Sequence, residues 1–216
     1  MHIEAVNMSH PLRKMVELLV HKVYARQYGA FVTSFPDVMF AAFDDDHLPV
    51  CAAGIRTEET GFFSQCYLGE QVDIILSRIS DEKVTSASIV EVTTLAAIKP
   101  WMSLKLLDYI ITYSRNRGKE WGLFTGTSML KKRLDYTGQA MHDLGAAMDT
   151  AVPNPANWGR YYQTSPRVFA FNYQGLMSQT QIEPPEVTIH TDMPSMVQNV
   201  SHPIYMKNAV GGAFYA

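Results

Sequence analysis

Apolar residues recur along this chain in two rhythms, and the switches between them mark out its elements. Across residues 11–26 the side chains of Leu12, Met15, Leu18, Leu19 and Val23 fall at helical spacing. That pattern predicts an amphipathic helix with Ser9 as N-cap and Pro11 in its first turn. A weakly alternating HIEAV (2–6) before it reads as a first strand. After it, DVMFAAF (37–43) and PVCAAGIR (49–56) are two strand-like runs joined by Asp44, Asp45 and Asp46. They predict a hairpin whose acidic turn is solvated. GFFSQCYL (61–68) reads as a third strand, followed by a short helix through Val72, Ile75, Leu76 and Ile79.

The β-branched run SIVEVTTLAAI (88–98) then passes into a helix expected over 101–117, which Gly118 closes as a C′ residue. WGLFTGT (121–127) predicts a strand, and SMLKKRLDYTG a helix closed by Gly138. Pro153, Asn154, Pro155 and Asn157 mark a loop into WGRYYQTSP, and SPRVFAFNY (165–173) is the last good strand. Beyond Gln174 the pattern weakens: Pro184, Pro185, Pro194 and Pro203 interrupt it, and only VTIHT (187–191) looks regular. The chain therefore divides into a domain over 1–174 and an extension or wrapping arm over 175–216. The order predicts an α/β (α+β) fold with a mixed, mostly antiparallel central sheet flanked by helices. No G-x-G-x-x-G follows a strand and no G-x-x-x-x-G-K occurs, which excludes the nucleotide-binding folds that need them.

Composition narrows the class. With 47% apolar and 18% charged residues in 216, a sizeable core is available. The net charge of −3 argues against a nucleic-acid partner. No run of about 18 apolar residues predicts a membrane span, and MHIEAVNMSH lacks the pattern of a secretory signal, so a cytoplasmic protein is expected. Cys51 and Cys66 read as thiols rather than a disulfide, and the seven scattered histidines offer no metal-ligand spacing.

Glu91 is the residue that most needs an explanation. A carboxylate in the middle of so apolar a strand costs several kcal/mol unless it is paired or solvated. It is either a structural ion-pair member, with Arg56 as its natural partner, or a working group at a cleft. In an extended strand Glu91, Thr93 and Leu95 share one face. A partly desolvated Glu91 would accept a proton from an amine directly or through a water. Arg56 offers a two-pronged grip for a substrate carboxylate. In NWGRYYQTSP, Tyr161 or Tyr162 would serve as the acid counterpart, or the aromatics simply anchor a loop. His142 and Asp143 point apart as strand neighbours, and no G-x-S-x-G supports a nucleophilic relay.

The junction Lys99, Pro100, Trp101, Met102, Ser103 contains no glycine, and Pro100 lacks an N–H. A pyrophosphate nest is therefore not expected there. Lys99, Lys105 and the run Lys131, Lys132, Arg133 would meet an acidic partner surface, or are merely solvated helix faces.

Together AAGIR, FFSQCYL, IVEVTTLA, WGLFTGT with its basic helix, and WGRYYQTSPRV resemble the thermostable hemolysin family, a GNAT-related group. The likeness spans roughly residues 24–171. That family is in turn similar to acyl-homoserine-lactone synthases and N-acyl amino acid synthases, which take acyl groups from acyl carrier protein. The resemblance implies a GNAT-like sheet and an N-acyltransferase acting on a small amine, with an acyl-phosphopantetheine or acyl-CoA co-substrate and no tightly bound cofactor. Arg56, Glu91, Trp158, Tyr161 and Tyr162 fall on family motif positions. Two departures stand near the expected cleft. Gln65 precedes Cys66, Tyr67 and Leu68 where the family usually has a glutamate, and Thr93-Thr94 replaces its usual Gly-Asn.

The resulting expectation assigns catalysis to Glu91, Thr93, Tyr161 and Tyr162. Substrate contacts fall to Arg56, Gln65, Thr94, Trp101 and Trp158, and donor contacts to Val92, Leu95 and Lys99. Direct use of acyl-CoA, or a non-catalytic membrane-active protein on the same scaffold, are the rival readings.

Overall fold

The computed structural model describes residues 2–135 and 140–173. Within them, strands β1 (His2–Val6), β2 (Val38–Phe43), β3 (Pro49–Arg56), β4 (Ile89–Ala97), β5 (Trp121–Gly126), β6 (His142–Ala146) and β7 (Arg167–Asn172) alternate with helices α1 (Arg13–Tyr28), α2 (Val72–Ser80), α3 (Pro100–Arg115) and α4 (Ser128–Asp135). The strands form one seven-stranded sheet in the order β1-β2-β3-β4-β5-β7-β6. Every neighbouring pair is antiparallel except β4 and β5, which run parallel. This is the mixed, mostly antiparallel sheet that the element order predicts.

Strand alternation assigns the helices to the two faces. On one, α1 lays Val16, Leu19, Val20 and Tyr24 on Val6, Met39, Ala41, Phe43, Ala52 and Ala96. Beside it α2 packs Val72 and Leu76 against Ile89, Trp121, Leu123, Val168 and Ala170. On the other face, α3 buries Met102, Leu106, Leu107 and Ile110 against Phe40, Ala42, Cys51, Ala53, Val90, Val92 and Phe124. Leu106 and Ile110 have no exposed surface, and each contributes about 1.5–3 kcal/mol by leaving water.

Several boundaries moved for tertiary reasons. Ser9 does not cap α1; the helix begins at Arg13, behind Leu12, with no side-chain cap. Arg13 is 4% exposed. It donates to the carbonyls of Val6, Pro36 and Asp37, and through Nε to Glu17 at 2.7 Å. That one guanidinium ties the start of α1 to the end of β1 and to the entry of β2. The helix runs past Arg26 to Tyr28, where Gly29 takes the left-handed conformation that closes it. Residues 61–68 are not a strand: Phe63–Tyr67 forms a 3₁₀ turn. β6 is an edge strand of which only the neighbours His142 and Asp143 read as strand from the sequence. The expected Gly138 terminus of α4 and the extension over 175–216 lie outside the described residues.

The feature that positions the site is a break in β4. Its parallel pairing with β5 covers only Ile89–Val92 against Trp121–Phe124. Further along, β4 pairs only with β3, and Thr125 and Gly126 of β5 pair only with β7. The register with β3 slips between Ala52 and Gly54, and Thr94 holds a φ of 51°. An extra residue inserted there bends the strand and reverses its alternation. Leu95 and Ala97 consequently pack with the α3 face, while Ala96 packs with α1. The expectation that Leu95 shares a face with Glu91 and Thr93 fails because the bulge intervenes. β4 and β5 thus part company into an open V.

Candidate active site

Two cavities meet in this V. The first, about 210 Å³, runs among Val23, Leu95, Leu107, Ile111, Phe124, Leu130, Leu134 and Phe171 and is mainly apolar. The second, about 160 Å³, is walled by Arg56, Phe63, Tyr67 and Trp158 together with Thr33, Ser34, Asn154 and Asn157. Tyr24, Val92, Thr93, Thr94, Thr125 and Tyr161 line both. At this shared wall the Oγ1 atoms of Thr93 and Thr94 are buried without a hydrogen-bond partner among the described residues. A buried hydroxyl left unpaired costs about 1–3 kcal/mol, so these groups are poised for a polar atom that arrives with a ligand. Gly54 makes room for the first: a Cβ there would lie 3.2 Å from Thr93 Oγ1 and 2.6 Å from the Pro36 ring.

The second cavity's aromatic wall is built by a close backbone approach. Gly159 has φ +54°, and a Cβ on it would meet the Tyr28 carbonyl oxygen at 2.3 Å. With no side chain in the way, Arg160 N–H donates to that carbonyl at 2.8 Å and Phe31 N–H to Asn157 at 2.6 Å. The loop is thereby docked on the end of α1. Trp158 then packs beside Phe63 and Tyr161, and Tyr161 edge-on to Tyr28 with ring centres 5.2 Å apart. Tyr161 is 7% exposed, and burial holds its phenol well above the ordinary tyrosine range.

Glu91 lies elsewhere than expected. It has no exposed surface and lines neither cavity. Phe63 N–H donates to its Oε2 at 2.5 Å; Ser64 N–H at 2.8 Å and Ser64 Oγ at 2.5 Å donate to its Oε1. The 3₁₀ turn exists where a strand was expected because its first amides and one hydroxyl must point at this carboxylate. Burial pushes the Glu91 carboxyl above the usual carboxylate range, against the pull of these donors and of the Arg56 charge. Arg56 stands directly opposite Glu91 in the sheet, yet its guanidinium donates to the Thr60 carbonyl at 3.3 Å and faces the second cavity. Direct contact between Glu91 and an amine in either cavity is therefore corrected: its oxygens are occupied inside the fold.

The remaining expected site residues sort by position. Thr93, Thr94, Tyr161, Val92, Leu95, Arg56 and Trp158 come together at the cavities. Tyr162 stands one layer back, sharing a 2.7 Å hydrogen bond with Tyr67. Gln65 lines neither cavity; its side chain accepts from Val72 N–H at 3.0 Å and donates to the Glu70 carbonyl, which secures the start of α2. Trp101 is half exposed at the start of α3 with Lys105 over its ring, and Lys99 is exposed beside it; neither reaches a cavity. Asp143 on β6 binds Arg167 at the sheet edge, remote from this chemistry. Sequence reading missed Tyr24 and Tyr28, whose i, i+4 spacing on α1 was a usable signal. It also missed Ser64 and Thr125, which carried none.

A bulged strand splayed from a parallel neighbour, with helices on both faces and cavities in the split, is the GNAT architecture. The chain belongs to the thermostable hemolysin family, whose model matches residues 6–176. No curated protein matches it. Among solved structures it is similar to the apo form of TofI at 16% identity and TM-score 0.54, covering 80% of this chain and 90% of that one. It is similar to the AHL synthase LasI at 10% identity and TM-score 0.53, with 79% and 89% covered. A third is FeeM, an N-acyl amino acid synthase from uncultured soil microbes, at 16% identity and TM-score 0.51, with 82% and 98% covered. These likenesses establish the fold.

Proposed function

We propose that this chain is an N-acyltransferase, moving an acyl group from the phosphopantetheine thioester of an acyl carrier protein to a small amine. The observation that carries the reading is the meeting of an apolar cavity and an arginine-bearing, aromatic-walled one at two unpartnered threonine hydroxyls. The acyl chain occupies the first cavity, and the acceptor enters the second with a carboxylate against Arg56. The thioester carbonyl lies at the shared wall, where the Thr93 and Thr94 hydroxyls donate to the developing oxyanion. Preorganised donors of that kind are worth about 10²–10³-fold each in rate. The buried Tyr161 hydroxyl, held in its neutral form, protonates the departing sulfur.

The donor assignment rests on the β4–α3 junction. Pro100 brings no N–H, and Met102 N–H is already given to the Lys99 carbonyl at 3.0 Å, which takes two amides away from a pyrophosphate cradle at this junction. Exposed Lys99, Lys105 and Lys132 supply positive charge for an acidic carrier surface.

The test is thiol release from acyl-carrier protein and from acyl-CoA, in parallel, with a panel of amino-acid and amine acceptors. Amine-dependent release from the carrier-bound donor, at least tenfold faster than from CoA, supports the reading. Faster release from CoA moves the donor to acyl-CoA. No release from either, together with lysis of lipid vesicles, would hand the family's name its literal meaning.

A further inference from the structure

Glu91 is sealed in, yet it is wired to the cavities. Ser64 Oγ donates to Glu91 Oε1 and lies 2.6 Å from Thr125 Oγ1. Each hydroxyl carries a single hydrogen. Since the Ser64 hydrogen is given to the carboxylate, the hydrogen in the second bond must come from Thr125. With Glu91 ionised the direction follows: Thr125 donates to Ser64, and Ser64 donates to Glu91. Thr125 therefore has its hydrogen turned inward and its lone pairs free to accept. It lines both cavities, at the wall they share with Thr93 and Thr94.

We propose that Thr125 is the group that takes the acceptor's proton, with Ser64 and Glu91 acting behind it as a relay. This rests on the acyl-transfer reading and supplies its proton route. As the amine nitrogen bonds to the thioester carbon, its N–H proton passes to Thr125 Oγ1. The Thr125 hydrogen moves to Ser64 Oγ and the Ser64 hydrogen to Glu91 Oε1, leaving both hydroxyls neutral and Glu91 protonated. The C–S bond breaks, and the sulfur leaves with the Tyr161 proton. Once products depart, the reverse relay returns the Glu91 proton through cavity water to the Tyr161 phenolate, so nothing accumulates.

The relay explains arrangements that a purely structural carboxylate does not need. Of the three donors to Glu91, two are backbone N–H groups that end there; the third is a hydroxyl that continues outward to Thr125 at the cavity wall. Burial raises the proton affinity of the carboxyl above that of an ordinary carboxylate, which favours it as the base at the end of a proton path.

The experiment compares Thr125→Val, which keeps the shape and removes the hydroxyl, with Thr125→Ser and Ser64→Ala. Each is assayed as full-length chain for amine-dependent thiol release from an acyl-phosphopantetheine thioester across pH 5–9. We expect Thr125→Val and Ser64→Ala to lower kcat by about 10²–10⁴-fold and to flatten its rise with pH, at unchanged KM. Thr125→Ser recovers most of the loss. Because Thr125 is half-buried at a cavity wall, its variants keep the wild-type circular dichroism and melting temperature within a few degrees. A Thr125→Val enzyme with wild-type kcat and pH profile overturns the relay while acyl transfer stands. A wild-type chain inactive on every donor and acceptor overturns both.

Discussion

Thr94 carries a prediction in which stability and activity move in opposite directions. It is a β-branched residue at φ 51°, where the L-side chain crowds the following carbonyl at about 1–2 kcal/mol. Its buried hydroxyl lacks a partner, which costs about 1–3 kcal/mol, near the low end where water enters the open cavity. Replacing it with glycine removes both penalties. Against that stand about 0.8 kcal/mol of lost methyl burial and about 0.5–1 kcal/mol of added backbone entropy in the unfolded chain. The balance favours Thr94→Gly by roughly 1 kcal/mol. Thr94→Asn should gain about as much, since asparagine tolerates the left-handed region, and asparagine is the residue the family pattern leads one to expect there. Urea unfolding at 25 °C reads the change directly, and a melting temperature raised by about 2–4 °C accompanies it. For Thr94→Gly kcat should fall about 10²-fold as an oxyanion donor disappears. If Thr94→Gly instead loses more than about 1 kcal/mol, the threonine is held by something other than strain, and the bulge is not a site where stability was given up.

Two further outcomes follow from other parts of the site. Gly159→Ala drives a methyl into the Tyr28 and Gly29 carbonyls, 2.3 and 2.7 Å from the added carbon. It should cost about 2–4 kcal/mol in a urea melt and raise KM for the acceptor, because Trp158 and Tyr161 lose their seat. For Glu91, the folded carboxyl titrates above its ordinary 4.5, so the native state binds the extra proton. Its contribution is complete below the unfolded pKa and is lost as pH rises through the folded one. The gap in unfolding free energy between wild type and Glu91→Gln should therefore narrow as pH increases from about 4.5 towards 8. A gap that widens over that range means the three donors outweigh burial and the native pKa is depressed.

How far the fold was legible depends on whether local preference and tertiary demand agree. β2 and β3 are double statements, with strand-forming residues and an acidic turn between them, and the hairpin formed as expected. Residues 61–68 carry equally good strand formers, but the buried carboxylate needed amides from Phe63 and Ser64, and that need overrode the preference of the aromatics. Glu91 was identifiable as an anomaly because charge in an apolar strand is costly. Its partner was not, since a serine 27 residues away has no periodic signature. Similarly, Thr93 was legible by alternation from Glu91, whereas Leu95 was misplaced because a bulge leaves no trace in the hydrophobic pattern. Arg13 carried no signal in the helical pattern; only the convergence of three carbonyls makes it the clamp at the base of α1.

The departures from the family pattern also acquire a physical meaning. Gln65, where the resemblance leads one to expect a glutamate, serves the start of α2, so a change there leaves the cavities untouched. Thr93-Thr94, where the resemblance leads one to expect Gly-Asn, stands where both cavities meet and brings two hydroxyls that nothing in the described structure satisfies. A glycine at position 93 leaves open space beside Gly54 and presents only backbone. A threonine there fills that space and adds a donor one strand away from Arg56. Of the two substitutions, only the pair at 93–94 is placed to change what the junction binds, and it does so by narrowing the passage while adding polarity. Thr93→Gly should therefore admit bulkier acceptors than the wild-type chain accepts, whereas Gln65→Glu should leave acceptor choice unaltered. Competing the same amine panel against the two variants separates a difference in specificity from a neutral exchange.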